Sequence, residues 1–237
     1  MTEKTDIKIR SGTAVMDWLL EGGYEKDVLT CIYGPPGSGK TNLLLLCLAN
    51  SSSLKGKKII YIDTEGNFSL SRFKQVCADH EEVLKRIIFL KPVTFDEQRK
   101  SFEKLRKIVT DKIGLIVLDS VAMLYRLELG KNKDVYNVNR ELGLQLSYLT
   151  EIARKKNIPV IVTNQVYADL NAEGVERSTK MVGGDILRYS SKCLIELHKL
   201  INGVRVAVLT KHRSLPDGKE VRFRITDEGI EEVENET

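Results

Sequence analysis

The stretch Ile32–Leu46, "IYGPPGSGKTNLLLL", constrains the fold more than any other part of the chain. An apolar β-branched run ends in a glycine-rich turn, and a leucine-rich stretch follows. Gly34-Pro35-Pro36-Gly37-Ser38-Gly39-Lys40-Thr41 matches the pattern G-x-x-x-x-G-K-[ST]. Such a turn works only between a buried strand and the N-terminus of a helix, where successive backbone N–H groups and the helix dipole surround a phosphate. The stretch therefore predicts a strand, a phosphate-binding loop and a helix in that order. Lys40 is expected to reach the β- and γ-phosphates, and the Thr41 hydroxyl to ligate Mg²⁺.

The rest of the chain repeats the same alternation. Short apolar runs occur at Lys58–Asp63, Ile87–Leu90, Leu115–Asp119 and Pro159–Asn164. Helical stretches lie between them, at Thr41–Asn50, Ser71–Lys85, Glu97–Thr110 and Val138–Lys156. Strands alternating with helices predict an α/β fold with a mostly parallel sheet flanked by helices. From Ser191 to Ile230 the long helices stop, and "LPDGKE" at Leu215–Glu220 reads as a hairpin turn. The C-terminal part is thus expected to extend the sheet with antiparallel strands.

The 237 residues suit one α/β domain, and 42% hydrophobic with 30% charged residues excludes general disorder. A net charge of +4 excludes a polybasic coat. Cys31, Cys47, Cys77 and Cys193 form no C-x-x-C pair, and His80, His198 and His212 are scattered, so no zinc site is expected. The polar start, the isolated thiols and the lack of a long apolar run predict a cytoplasmic protein with no membrane segment.

Two carboxylates complete the chemistry. Asp119 ends the apolar run "LIVLD", where a carboxylate can hold Mg²⁺ directly or through water. Hydrolysis also needs a group that orients water, and "YIDTEGNF" offers Glu65 or Asp63. Strand position alone does not separate these two.

The blocks "RSGTAVMDWLLEGGYEKDVLTCIYGPPGSGKT", "YIDTEGNFSLSRF", "LIVLDSVAMLYR", "VIVTNQVYAD" and "MVGGDILRYSSKCLIEL" occur in the order found in the RecA-type recombinase family. The resemblance covers nearly the whole chain. With "VLTKHRSLPDGKEVRFRITDEGI" near its end, the chain most resembles the archaeal RadB branch, which are recombinase paralogues. Full recombinases of that family carry an additional N-terminal helical DNA-binding domain. Here 33 residues precede Gly34, so a single RecA-like ATPase domain without that addition is expected across residues 1–237.

The resemblance implies roles position by position. Glu65 becomes the catalytic glutamate, which decides against Asp63. Gln165 resembles the glutamine that senses the γ-phosphate and links it to the DNA-binding loop beyond. Arg72 falls where relatives lay an arginine against adenine, and joins Gly34 to Thr41 and Asn42 in the implied nucleotide site. Two DNA-facing loops are implied near Arg126–Arg140 and Ala168–Val182, with Lys131, Lys133, Arg140, Arg177 and Lys180 as phosphate contacts. Lys211, His212 and Arg213 sit where bacterial relatives reach a neighbour's γ-phosphate with paired lysines. They are read as ATP contacts in trans, as a basic patch for DNA, or as a plain hairpin.

The implied function is an ATP- and DNA-binding paralogue that assists homologous recombination and repair as an accessory to the main recombinase, with weak Mg²⁺-dependent ATP hydrolysis. Single-stranded DNA, the main archaeal recombinase and a Holliday-junction enzyme are the implied partners, and double-stranded DNA is a further option. The competing reading is a nucleotide-controlled protein-binding switch like the clock-protein relatives, which need no DNA. Those relatives usually show paired glutamates after the second strand, whereas Glu65 is followed by Gly66.

Overall fold

A computed structural model of the protein describes residues 7–131, 134–168 and 179–234. Strand β1 (Lys8–Ile9), helix α1 (Ala14–Leu19) and strand β2 (Tyr24–Glu25) form an entry segment with its own two-stranded sheet. Then follow β3 (Leu29–Gly34), α2 (Lys40–Ala49), β4 (Lys58–Asp63), α3 (Leu70–Val76), α4 (His80–Arg86) and β5 (Ile87–Leu90). The middle of the chain contributes α5 (Phe95–Ile108), β6 (Ile113–Asp119), α6 (Met123–Lys131), α7 (Val135–Lys156) and β7 (Val160–Ala168). The last part contains β8 (Thr179–Met181), α8 (Gly184–Ser190), β9 (Cys193–Lys199), β10 (Val204–His212), β11 (Glu220–Thr226) and β12 (Gly229–Glu232).

The main sheet runs β12-β11-β10-β9-β3-β7-β6-β4-β5, with β8 added to β7. From β9 to β5 neighbouring strands are parallel, and from β9 to β12 they are antiparallel. This is the expected parallel sheet with an antiparallel C-terminal extension. Register places Gly34 opposite Gln165 and Asp63 opposite Asp119. Four chemically active strand ends therefore converge at one edge of the parallel sheet, where open α/β sheets bind ligands.

Continuous apolar runs make sense because the parallel strands are covered on both faces. Period-2 alternation sends Ile32, Ile59, Tyr61, Leu115 and Val117 to one core beside α1 to α4. Leu29, Cys31, Ile60, Ile62, Ile116 and Leu118 face a second core under α5 to α8. Helix α2 is buried nearly all round, from Leu43 to Cys47 and Leu48, which explains its lack of a polar face. In contrast, α5 buries Phe95, Gln98, Phe102 and Leu105 at helical spacing and keeps Arg99 and Glu103 outside.

Three local expectations change. The stretch Ser71–Lys85 is two helices, broken where Cys77 takes extended backbone. On one straight helix Phe73 and Val83 would project about 80° apart, and the break lets both enter the same core. Strand β7 continues to Ala168, because Val166, Tyr167 and Ala168 pair with Met181, Lys180 and Thr179. The expected loop at Arg126–Arg140 is mostly helical. Buried Leu124 and Tyr125 anchor α6, while the Asp134 side chain accepts the Asn137 N–H at 3.0 Å and starts α7.

Candidate nucleotide-binding site

Two glycines of the phosphate loop resist a side chain, one through close packing and the other through its backbone conformation. A Cβ on Gly34 would lie 2.4 Å from the Leu197 carbonyl oxygen of β9. Gly39 caps α2 with φ +106°, and a Cβ there would meet Ile225 at 3.3 Å. Strands β9 and β11 thus pack directly against the loop.

Lys40 lies over the loop, and its Nζ donates to the carbonyls of Gly34 at 2.8 Å and Pro35 at 2.9 Å. Burial lowers its pKa, while the carboxylates of Asp119 and Glu65 act in the opposite direction. The Thr41 hydroxyl donates to Asp119 Oδ2 at 2.8 Å. Asp119 is buried and also accepts the Thr163 hydroxyl. Burial raises its pKa, the Thr163 and Thr41 hydroxyls lower it, and Glu65 and Asp63 raise it further. A hydroxyl and a buried carboxylate side by side are hard oxygen donors of the kind Mg²⁺ takes when phosphates and water supply its other ligands.

Asp63 and Glu65 have different surroundings. The Asp63 carboxylate accepts the backbone N–H groups of Gly66 at 2.8 Å, Asn67 at 3.1 Å and Phe68 at 3.3 Å. It organises the turn after β4. Glu65 instead accepts side-chain donors: Gln165 Nε2 at 2.9 Å, the Ser120 hydroxyl, and Asn67 Nδ2 at 2.7 Å. Glu65 and Gln165, from β4's end and β7, meet across the intervening β6.

Arg72 is far from a free surface residue. Its Nε donates to Asn42 Oδ1 at 2.8 Å, and its terminal nitrogens donate to the carbonyls of Asp227 at 2.9 Å and Gly229 at 3.1 Å. These bonds take up the edge of the guanidinium and tie α2 and α3 to the β11–β12 turn. Arg72 and Asn42 thus stand together beside the loop.

Lys211, His212 and Arg213 are elsewhere. They end β10, where Lys211 pairs with Leu194 and His212 with Cys193. Cys193 faces Thr30 near the start of β3. The trio therefore lies at the end of the sheet opposite Gly34 and does not reach its own phosphate loop. Nor is it one basic patch. His212 is buried, and its Nδ1 accepts the N–H groups of Ser214 at 3.2 Å and Leu215 at 3.1 Å. Arg213 forms ion pairs with Glu25 at 2.7 Å and Asp27 at 3.4 Å. Lys211 Nζ donates to the Arg188 carbonyl at 2.6 Å, and burial together with Lys192 and Arg188 lowers its pKa.

Of the expected DNA contacts, Lys131 ends α6 and Arg140 lies in α7, both exposed. The Lys180 backbone is part of β8. Lys133 and Arg177 lie outside the described residues. Among the described residues no helix is long and apolar enough to cross a membrane, and no cluster of three metal-ligating side chains of the His/Cys/Asp/Glu type occurs. Sequence reading missed Ser120 and Thr163, which hold the two carboxylates. Thr163 carried a signal, a polar residue inside an apolar strand two positions before Gln165.

The Rad51 family profile matches residues 2–233. A DNA repair and recombination protein RadB of Methanococcus maripaludis (strain C7) is 44% identical over 219 residues, 92% of this chain and 97% of that protein. The RadB protein of Thermococcus kodakarensis is 43% identical over 231 residues, covering 95% of this chain and 100% of that one. A crystal structure of the RadB recombinase superposes with a TM-score of 0.78 at 42% identity, over 94% of this chain and 99% of that one. With the phosphate loop, the paired strand-end carboxylates and the antiparallel extension all in place, the chain belongs to the RecA-type recombinase family, in its archaeal RadB branch.

Proposed function

We propose that the protein is a DNA-binding ATPase of a single RecA-like domain that assists homologous recombination and DNA repair as an accessory to the main recombinase. The observation that carries this reading is the Gln165–Glu65 hydrogen bond. It joins a group suited to orient water at the nucleotide to the strand that leads into Ala168–Val182, where the second DNA loop is expected and of which 169–178 lie outside the described residues. The RadB relatives are named for DNA repair and recombination, which supports the same reading.

The residues divide the work as follows. Backbone N–H groups from Gly37 to Thr41 and the Lys40 ammonium bind the phosphates. Thr41 and Asp119 hold Mg²⁺, which when bound offsets the negative charge of the phosphate chain. Glu65 orients and deprotonates water, and Gln165 moves between Glu65 and the γ-phosphate. Arg72 offers a guanidinium face to adenine. Lys211, which lies at the pole opposite its own loop, is offered to a neighbour's ATP or to DNA. A site that needs a second subunit or DNA for its last cation turns over slowly alone, so hydrolysis by the isolated chain is weak.

Lys131, Lys133, Arg140, Arg177 and Lys180 bind DNA phosphates without reading sequence. The partners are single-stranded DNA and the main archaeal recombinase, with double-stranded DNA and a Holliday-junction enzyme as further candidates, and the protein acts in the cytoplasm. The test is binding of single-stranded DNA against salt, with and without ATP and Mg²⁺, for wild type and Lys211→Ala. ATP-sensitive, salt-sensitive binding is expected. Absence of binding even at low salt overturns this reading in favour of a nucleotide-controlled protein-binding switch.

A further inference from the structure

The outer wall of the phosphate loop is built by the β9–β10 hairpin. Arg205 Nε donates to the Gly37 carbonyl at 3.3 Å, and its NH1 donates to the carbonyl of Gly203, two residues before it, at 2.6 Å. A Cβ placed on Gly39 would lie 3.7 Å from Arg205 Cδ, so the aliphatic stem runs along the loop before the head reaches Gly37. A Cβ on Gly37 would lie 3.4 Å from Lys199 Nζ. Two cations from one hairpin thus stand against the middle of the loop.

The carbonyls of a tight glycine-rich loop cannot all pair within the loop and need other donors. Lys40 serves Gly34 and Pro35, and Arg205 serves Gly37. The peptide unit held by Arg205 is the one whose N–H belongs to Ser38. That N–H donates to the Pro35 carbonyl at 3.2 Å, so a guanidinium on the Gly37 oxygen fixes the orientation of the unit and, through that bond, the turn that shapes the loop. Lys199 is exposed and adds a movable charge whose attraction grows with the charge of the ligand and weakens with salt.

We infer that Arg205 is a positioning residue for the phosphate chain and that Lys199 completes the same cationic wall, so that the hairpin favours a nucleoside triphosphate over a diphosphate. This rests on reading the loop as a nucleotide site.

The experiment measures dissociation constants of fluorescent ATP and ADP analogues from about 50 to 500 mM salt, a range that spans strong to weak screening. The proteins are wild type, Arg205→Gln, Arg205→Lys, Lys199→Gln, Lys40→Ala and the exposed-charge control Arg224→Gln. Arg205→Gln is expected to weaken ATP about tenfold and ADP about threefold, and Lys199→Gln to weaken ATP about threefold with a flatter salt dependence, the scale of a charge-assisted contact and a screened one. Arg205→Lys should recover the salt dependence but only part of the affinity, because an ammonium does not bridge Gly37 and Gly203 as the planar fork does. An ATP-to-ADP ratio unchanged in both Gln variants, or changed equally by Arg224→Gln, overturns the inference. If Lys40→Ala binds both nucleotides like wild type, the nucleotide reading itself is what fails.

Discussion

Gln165 Nε2 and Glu65 Oε1 stand 2.9 Å apart, joining two strand ends that β6 separates. A glutamine amide can donate to a carboxylate or to a phosphate oxygen, so this bond is suited to exchange when nucleotide arrives. Replacing Glu65 with Gln removes the proposed base but keeps the shape. Turnover should fall about 100-fold or more while ATP affinity stays within about threefold. Steady-state hydrolysis beside a direct binding titration checks it, and equal loss of both would return Glu65 to a structural role.

Thr163 tests the magnesium reading without touching a ligand. Its hydroxyl donates to Asp119, whose other oxygen accepts Thr41. Partners that orient a metal-binding carboxylate typically change metal affinity about 10- to 100-fold. Thr163→Val should therefore raise the Mg²⁺ concentration needed for half-maximal turnover about tenfold. A magnesium titration that superposes on wild type removes Thr163 from this role.

Arg213 is expected to matter to stability before it matters to any ligand. Glu25 is buried, and Arg213 is its ion-pair partner at 2.7 Å. The Arg213 side chain is 37% exposed, so solvent screens the pair and removing it costs about 1 kcal/mol, which corresponds to roughly 2–4 °C in melting temperature for a chain of this size. Thermal unfolding of Arg213→Ala, Glu25→Ala and the double variant measures the coupling. Additive losses would show that the pair is decorative. Lys211→Ala, whose side chain anchors on a carbonyl rather than a buried acid, is the cleaner probe of DNA or ATP in trans.

His212 is expected to make the β10 end sensitive to acid. Its Nδ1 accepts two backbone N–H groups, which only a neutral imidazole can do with that nitrogen unprotonated. Burial lowers its pKa, opposed by Glu25 and reinforced by Lys8 and Arg213, with Glu21 opposing weakly. The unfolded chain then binds the proton more readily than the folded one. This contribution to stability is full above the ordinary histidine pKa of about 6.5 and is lost as pH falls below it toward the lowered folded value. Urea midpoints at pH 7.5 and 5.5 should differ in wild type. His212→Asn, whose Oδ1 can accept the same N–H groups without titrating, should show a smaller difference, and an identical acid loss would clear His212 of it.

Much of this protein was decided locally and could be read from residue order. Alternating apolar runs specify buried strands, and the glycine pattern from Gly34 to Gly39 specifies a turn that only a strand and a helix can flank. The same residues carried Lys40, Thr41 and Asp119 to one edge, because carboxyl ends of parallel strands always share an edge. The loop expected at Arg126–Arg140 was misread for an equally local reason. Charged, glycine-containing stretches look alike whether they are solvated loops or exposed helix faces, and only the burial of Leu124, Tyr125 and Val138 distinguishes them.

Tertiary structure alone decided what each polar side chain does. Asp63 and Glu65 are two residues apart, yet one ties down its own turn while the other faces Gln165. Arg72 bonds a carbonyl 155 residues away, and Arg205 one 168 residues away. Lys211, His212 and Arg213, adjacent in sequence, separate into a carbonyl contact, a buried acceptor and an ion pair. Hydrogen bonds and ion pairs act over about 3 Å, so their partners follow from strand order and register, which arise from packing of the whole chain. Apolar periodicity and backbone φ, by contrast, are properties each short segment already possesses.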